Sequence, residues 1–120
     1  MITFYYYPTC STCKKAKKWL DDHALSYTER LIHEQTPTAE QLEQFWQVSQ
    51  LPLKKFFNTS GLKYRELNLK TVLPELTPLE QLDLLASDGM LIKRPLLVTD
   101  TAVLVGFKAD TWAETLLPLD

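Results

Sequence analysis

Two cysteines, Cys10 and Cys13, bracket Ser11 and Thr12 in the segment Cys-Ser-Thr-Cys. A thiol pair one helical turn apart can close a disulfide, with one sulfur attacking and the other resolving. The segment follows a run ending Tyr5-Tyr6-Tyr7-Pro8 and precedes strong helix formers that begin at Ser11. Cys10 thus falls at a helix start, where backbone N–H groups lack partners and the dipole is positive. Both effects favour a thiolate, and Lys14, Lys15, Lys17 and Lys18 add positive potential. Cys13 lies a turn further in and is expected to be less exposed. Cys10 therefore reads as the attacking thiol and Cys13 as the resolving one, with Ser11 and Thr12 offering N–H groups to an anion. Two other readings compete. A zinc site would need His23 and His33 as well, but their nine intervening residues miss the usual three to five. Two inert core cysteines are the plainer alternative.

The elements around the pair follow from periodicity. Met1–Tyr7 is apolar or aromatic on both faces and suits a strand buried between layers. Ser11–Asp22 places Cys13, Ala16 and Leu20 on one helix face. Ser26–Leu31 fits a second strand, so the first 31 residues read as βαβ with a parallel pair. From about 36 to 89 the pattern is helical. Thr38 and Gln41 form a capping box before Leu42, Phe45, Trp46 and Ser49. Pro52 interrupts, Leu51–Phe57 suits a short helix, residues 58–61 a turn, and Lys63–Asn68 another helical piece. Thr77, Pro78 and Glu80 start a helix lined by Leu79, Leu82 and Leu85 and ended by Ser87, Asp88 and Gly89. Leu96–Thr99 and Ala102–Val105 are separated by two residues and must form a hairpin. Asp110–Leu117 then closes the chain as a helix packed through Trp112 and Leu116.

The order βαβ, helices, ββα is the thioredoxin-like arrangement: an α/β fold on a mixed four-stranded sheet, with a helical insert in a single domain over 1–120. In that fold a proline, usually cis, precedes the third strand and faces the cysteines. Pro95 is placed for this role. Arg94 would then turn its guanidinium toward Cys10 or toward a bound oxyanion; the alternative is a surface ion pair. Tyr6 or Tyr7 could also reach the site, although packing is their simpler role.

Composition sets the bounds. Of 120 residues, 45% are hydrophobic and 23% charged, which is ordinary for a globular protein and excludes disorder. The net charge of −2 gives no bulk argument for nucleic acid or a membrane surface. The N-terminal segment lacks the basic and long apolar regions of a leader, so the expected compartment is the reducing cytoplasm. There a close cysteine pair is more often chemical than structural.

Several segments together resemble a known family. They are the strand leading into residues 10–20 (CSTCKKAKKWL), 36–42 (TPTAEQL), 54–69 (KKFFNTSGLKYRELNL), 91–98 (LIKRPLLV) and 103–108 (VLVGFK). In this order they resemble the arsenate reductase (ArsC-like) family, and within it the Spx, MgsR and YusI-like branch. The resemblance implies a thioredoxin-like domain with an ArsC-type helical insert at about 36–89. It matches Cys10 to the cysteine that attacks arsenate and Arg94 to one of three arginines that hold it. Asn58 and Phe107 stand at the other two arginine positions, which weakens a dianion site. In the Spx branch the resemblance matches Cys10 and Cys13 to a redox switch that governs binding to RNA polymerase, at the carboxy-terminal domain of its α subunit. The glycine used there is replaced within Ser49-Gln50-Leu51-Pro52, and Leu117-Pro118-Leu119-Asp120 carries no basic tail. The expected function is thiol–disulfide or oxyanion reduction through Cys10 and Cys13. Arg94, Ser11, Thr12, Asn58 and Pro95 would shape the site. Neither a metal nor an organic cofactor is expected, and glutathione, glutaredoxin or thioredoxin would be the external reductant. The alternative is a redox-sensing regulator partnered by the RNA polymerase α subunit.

Overall fold

The computed structural model describes residues 1–118; Leu119 and Asp120, part of the C-terminal segment read above, lie outside the described residues. Strand β1 (Thr3–Tyr6) is followed by helix α1 (Ser11–Asp22) and strand β2 (Thr28–Leu31). Helices α2 (Ala39–Ser49), α3 (Leu62–Glu66), α4 (Leu69–Val72) and α5 (Pro78–Ser87) form the insert, interleaved with 3₁₀ turns at Leu53–Phe56, Leu73–Glu75 and Gly89–Leu91. The hairpin β3 (Leu96–Val98) and β4 (Val103–Val105) leads into α6 (Ala109–Leu116). The sheet order is β2-β1-β3-β4. β1 and β2 run parallel with Thr3 opposite Thr28, whereas β1–β3 and β3–β4 are antiparallel with Phe4 opposite Leu97 and Leu97 opposite Leu104. This is the thioredoxin-like mixed sheet expected from the element order.

Alternation along β1 divides the core. Phe4 and its register partner Leu97 face one side, where they pack with Cys13, Ala16 and Leu20 of α1 and Trp112 of α6. Tyr5 and Leu96 face the other, where Leu42, Phe56, Phe57, Leu82, Leu85 and Ile92 of the insert cover them. A strand covered on both faces must be apolar on both.

Several boundaries differ from the sequence reading, each for a local reason. β1 is shorter than Met1–Tyr7, because Met1 is exposed and Tyr7 leaves the ladder to meet the α1 start. β2 begins at Thr28 rather than Ser26. Leu51–Phe57 is reduced to one 3₁₀ turn after Pro52. The helix expected over Lys63–Asn68 spans Leu62–Glu66, and Asn68 adopts a left-handed conformation (φ 53°) before α4 restarts. α6 starts one residue early, at Ala109. Leu79 is 67% exposed and does not belong to the buried face of α5. Steps of three residues drift about 60° around a helix, so a face centred on Leu82 and Leu85 leaves Leu79 outside.

Candidate active site

Cys10 is the N-cap of α1, with extended backbone (φ −79°, ψ 113°). Its sulfur accepts the N–H of Cys13 at 3.2 Å. Its own N–H donates to the Tyr7 carbonyl at 3.1 Å, and its carbonyl accepts the N–H of Lys14 at 3.1 Å. The sulfur is thus held as a hydrogen-bond acceptor at the start of α1. Ser11 and Thr12 are exposed on the first turn, where N–H groups precede the first intrahelical bonds.

Cys13 is 2% exposed and belongs to the core between α1 and the sheet. Its thiol is pushed up to about 12, chiefly by burial and then by a hydrogen bond to Cys10, while the Tyr7 backbone and the Arg94 charge pull the other way. Both cysteines are free thiols and they touch. Cys10 is part-exposed and Cys13 buried, so Cys13 is the less exposed of the two, as the sequence reading expected. The lysine run contributes less field than its count suggests, because Lys17 pairs with Glu29 and Lys18 with Asp22.

The Arg94–Pro95 peptide is cis, and Pro95 is buried. Arg94 makes no surface ion pair among the described residues, which removes that reading. Its guanidinium carbon sits 5.0 Å from the centroid of the Tyr7 ring. Its Nε and Nη1 are buried and find no acceptor among the described residues. Such donors are costly to leave unpaired, so a cation held this way is suited to an anion. Arg94 also lines a cavity of about 210 Å³ with Asn58, Lys63, Glu66, Asp88 and Met90.

Two distant segments meet to build that cavity. Phe57 and Ile92 form an isolated antiparallel bridge. The Asn58 N–H donates to the Leu91 carbonyl at 2.8 Å, and the Lys93 N–H to the Phe56 carbonyl at 2.7 Å. Asn58 and Arg94 thereby line one cavity, whereas Cys10, Ser11, Thr12, Cys13 and Pro95 are not among its lining residues. Lys63 also lines the cavity, and Arg65 does not. Glu66 and Asp88 were not anticipated. No sequence motif marks them, and only the 57–92 bridge brings their elements together. Phe107 turns away into the core, edge-on to Trp112 at 4.9 Å. His23 and His33 lie at the surface. His23 lies tilted against Trp19, and His33 meets Tyr7 edge-on.

With this geometry in place, comparison with known proteins is informative. The ArsC family model matches residues 5–115. The chain belongs to the ArsC family. YusI of Bacillus subtilis is 58% identical over 94% of this chain and 96% of its own length. The regulatory protein MgsR of Bacillus subtilis is 33% identical over 88% of this chain and 82% of its own. The crystal structure of a possible arsenate reductase from Streptococcus mutans is 50% identical, with a TM-score of 0.85, and covers 90% of this chain and 92% of that one. Family membership accounts for the shared fold.

Proposed function

We propose that this chain is an arsenate-reductase-like thiol oxidoreductase working through Cys10 and Cys13. The observation that carries this reading is the paired geometry: a part-exposed Cys10 sulfur capping α1, with the buried Cys13 thiol directly behind it. In the proposed cycle the Cys10 thiolate attacks one atom of an oxidised substrate, a disulfide sulfur or an oxyanion centre. With an oxyanion such as arsenate, a Cys10–arsenic bond forms as one oxygen takes up protons and leaves as water; attack of Cys13 on the Cys10 sulfur then breaks that bond and leaves its electron pair on arsenic. With a disulfide, a Cys10–substrate bond forms, the substrate S–S bond breaks and one thiolate leaves. Cys13 then gives up its proton and attacks the Cys10 sulfur. The Cys10–Cys13 disulfide forms, and the second thiolate leaves and takes up a proton. The substrate gains two electrons and the pair loses two. Two external thiols, from glutathione, glutaredoxin or thioredoxin, return them. Arg94 holds the anionic partner, helped by Ser11, Thr12 and Asn58, and Pro95 shapes the groove. With Asn58 and Phe107 in place of two arginines, the site offers one guanidinium to an oxyanion. Such a cycle suits a reducing cytoplasm, and none of the described helices is long and apolar enough to cross a membrane.

The test is a redox titration of the pair in glutathione buffers, read by thiol trapping and mass. The expected result is an internal disulfide with a midpoint of roughly −200 to −270 mV. A Cys10–glutathione adduct with no internal disulfide would remove the two-cysteine cycle. The likeness to MgsR supports a second reading, a redox-sensing regulator that binds the RNA polymerase α subunit and performs no turnover. Capture by the α subunit that depends on the Cys10–Cys13 redox state would favour it over the enzyme.

A further inference from the structure

Tyr7 meets Cys10, Cys13 and Arg94 without belonging to the strand or the helix. Its carbonyl accepts the Cys10 N–H at 3.1 Å. Its backbone acts on the Cys13 thiol. Its ring lies under the Arg94 guanidinium, 5.0 Å from centroid to carbon. The ring is itself braced, because His33 meets it edge-on with centroids 5.0 Å apart. Arg94 has no carboxylate partner to fix it, and its Nε and Nη1 bond to nothing among the described residues. A long side chain with no acceptor needs some other restraint to stay in one rotamer. The aromatic face of Tyr7 is that restraint: it attracts the cation and leaves the edge donors of the guanidinium free for a ligand.

We infer that Tyr7 is the positioning residue for Arg94, holding the guanidinium through its ring so that positive charge stays at the Cys10 site. This rests on the proposed role of Arg94 beside the reactive thiol. The ring matters and the hydroxyl does not, since the contact is to the ring face. Phenylalanine should therefore replace Tyr7, and an aliphatic residue should not.

The experiment uses the full chain and two reagents of nearly equal size, anionic iodoacetate and neutral iodoacetamide. Both react with the same Cys10 thiolate, so the ratio of their rates cancels thiolate fraction and access and reads the local charge. Arg94→Gln should lower the iodoacetate-to-iodoacetamide ratio about tenfold, the low end of field focusing in a charged cleft. Tyr7→Leu should lower it to the same level, and the double variant should go no further. Tyr7→Phe should stay near the unmodified chain. If Tyr7→Leu fails to fold, Tyr7→Met removes the ring at similar volume and carries the same expectation. A ratio lowered by Arg94→Gln but untouched by Tyr7→Leu or Tyr7→Met would overturn the inference and leave the role of Arg94 standing. A ratio untouched by Arg94→Gln would overturn both. A loosened site would slow or speed both reagents together, which is a different signature.

Discussion

At the residue scale, the two cysteines have opposite surroundings although only two residues separate them. Cys10 caps a helix at the surface; Cys13 is packed among Phe4, Ala16, Leu20, Leu97 and Trp112. In the folded chain at pH 8, iodoacetamide should therefore add one group, at Cys10. A second should appear on Cys13 only in denaturant, as read by intact mass and peptide mapping. Burial raises Cys13 from 9.0 to about 12, so the fold prefers its protonated form. The unfolded chain loses that proton near pH 9.0 and the folded chain does not. Below this pH the stabilisation from Cys13 is fully present, and it is lost as pH rises toward about 12. Urea midpoints should fall over this window, and the Cys13→Ala variant should lose the part of the fall due to the thiol.

At the element scale, helix starts in the insert are set by side chains that replace missing backbone partners. Thr77 Oγ1 accepts the Glu80 N–H at 3.2 Å, and Glu80 accepts the Thr77 N–H at 2.9 Å. Thr38 and Gln41 repeat the exchange at 3.1 and 3.0 Å. Thr77→Ala and Thr38→Ala should each cost about 1 kcal/mol in denaturant melts, without changing the fold. Gly89 has a sharper constraint. A Cβ there would lie 1.9 Å from the Ile32 carbonyl oxygen and 2.8 Å from Thr36 Oγ1. This close approach seats the end of α5 against the chain leaving β2, directly before the segment that carries Arg94. Gly89→Ala should cost roughly 2 to 3 kcal/mol, since the obstacle is backbone. It should also disturb the cavity, read as a change in the iodoacetate-to-iodoacetamide ratio at Cys10.

At the scale of the whole molecule, the sheet separates two apolar layers, and the site lies where both meet. Trp112 seals the α1 side: it is 1% exposed, stacks edge-on with Phe4, Trp19 and Phe107, and donates its indole N–H to the Gly106 carbonyl at 3.2 Å. Gly106 carries φ +76°, a conformation suited to glycine, and its N–H donates to the Pro95 carbonyl at 2.8 Å. Trp112 is thus linked through one glycine to the cis proline. Trp112→Ala should cost about 3 to 5 kcal/mol. Leu79→Ala should change stability by less than about 0.5 kcal/mol, because that leucine is already in water. Thermal and urea melts of the two variants would separate a core leucine pattern from a surface one.

The sequence by itself determined what local chemistry controls. The α1 limits, its buried face of Cys13, Ala16 and Leu20, both capping boxes and the existence of the β3–β4 hairpin were all legible, although the strands end at Val98 and restart at Val103, one residue short of the reading on each side. Each rests on neighbours within a turn or two. The placement of Cys10 and Cys13 was legible for the same reason, since the helix start that leaves one part-exposed buries the other. The family was legible from the order of short segments. Tertiary structure decided the rest. Leu79 follows the same spacing as Leu82 and Leu85, and only packing against α2 and the sheet selects which side is buried. Arg94 looks the same in sequence whether it pairs at the surface or lies on Tyr7. Glu66 and Asp88 carry no motif and join the cavity only because Phe57 bridges Ile92. These are contacts between residues far apart in the chain, and their geometry depends on the assembled layers rather than on any local preference.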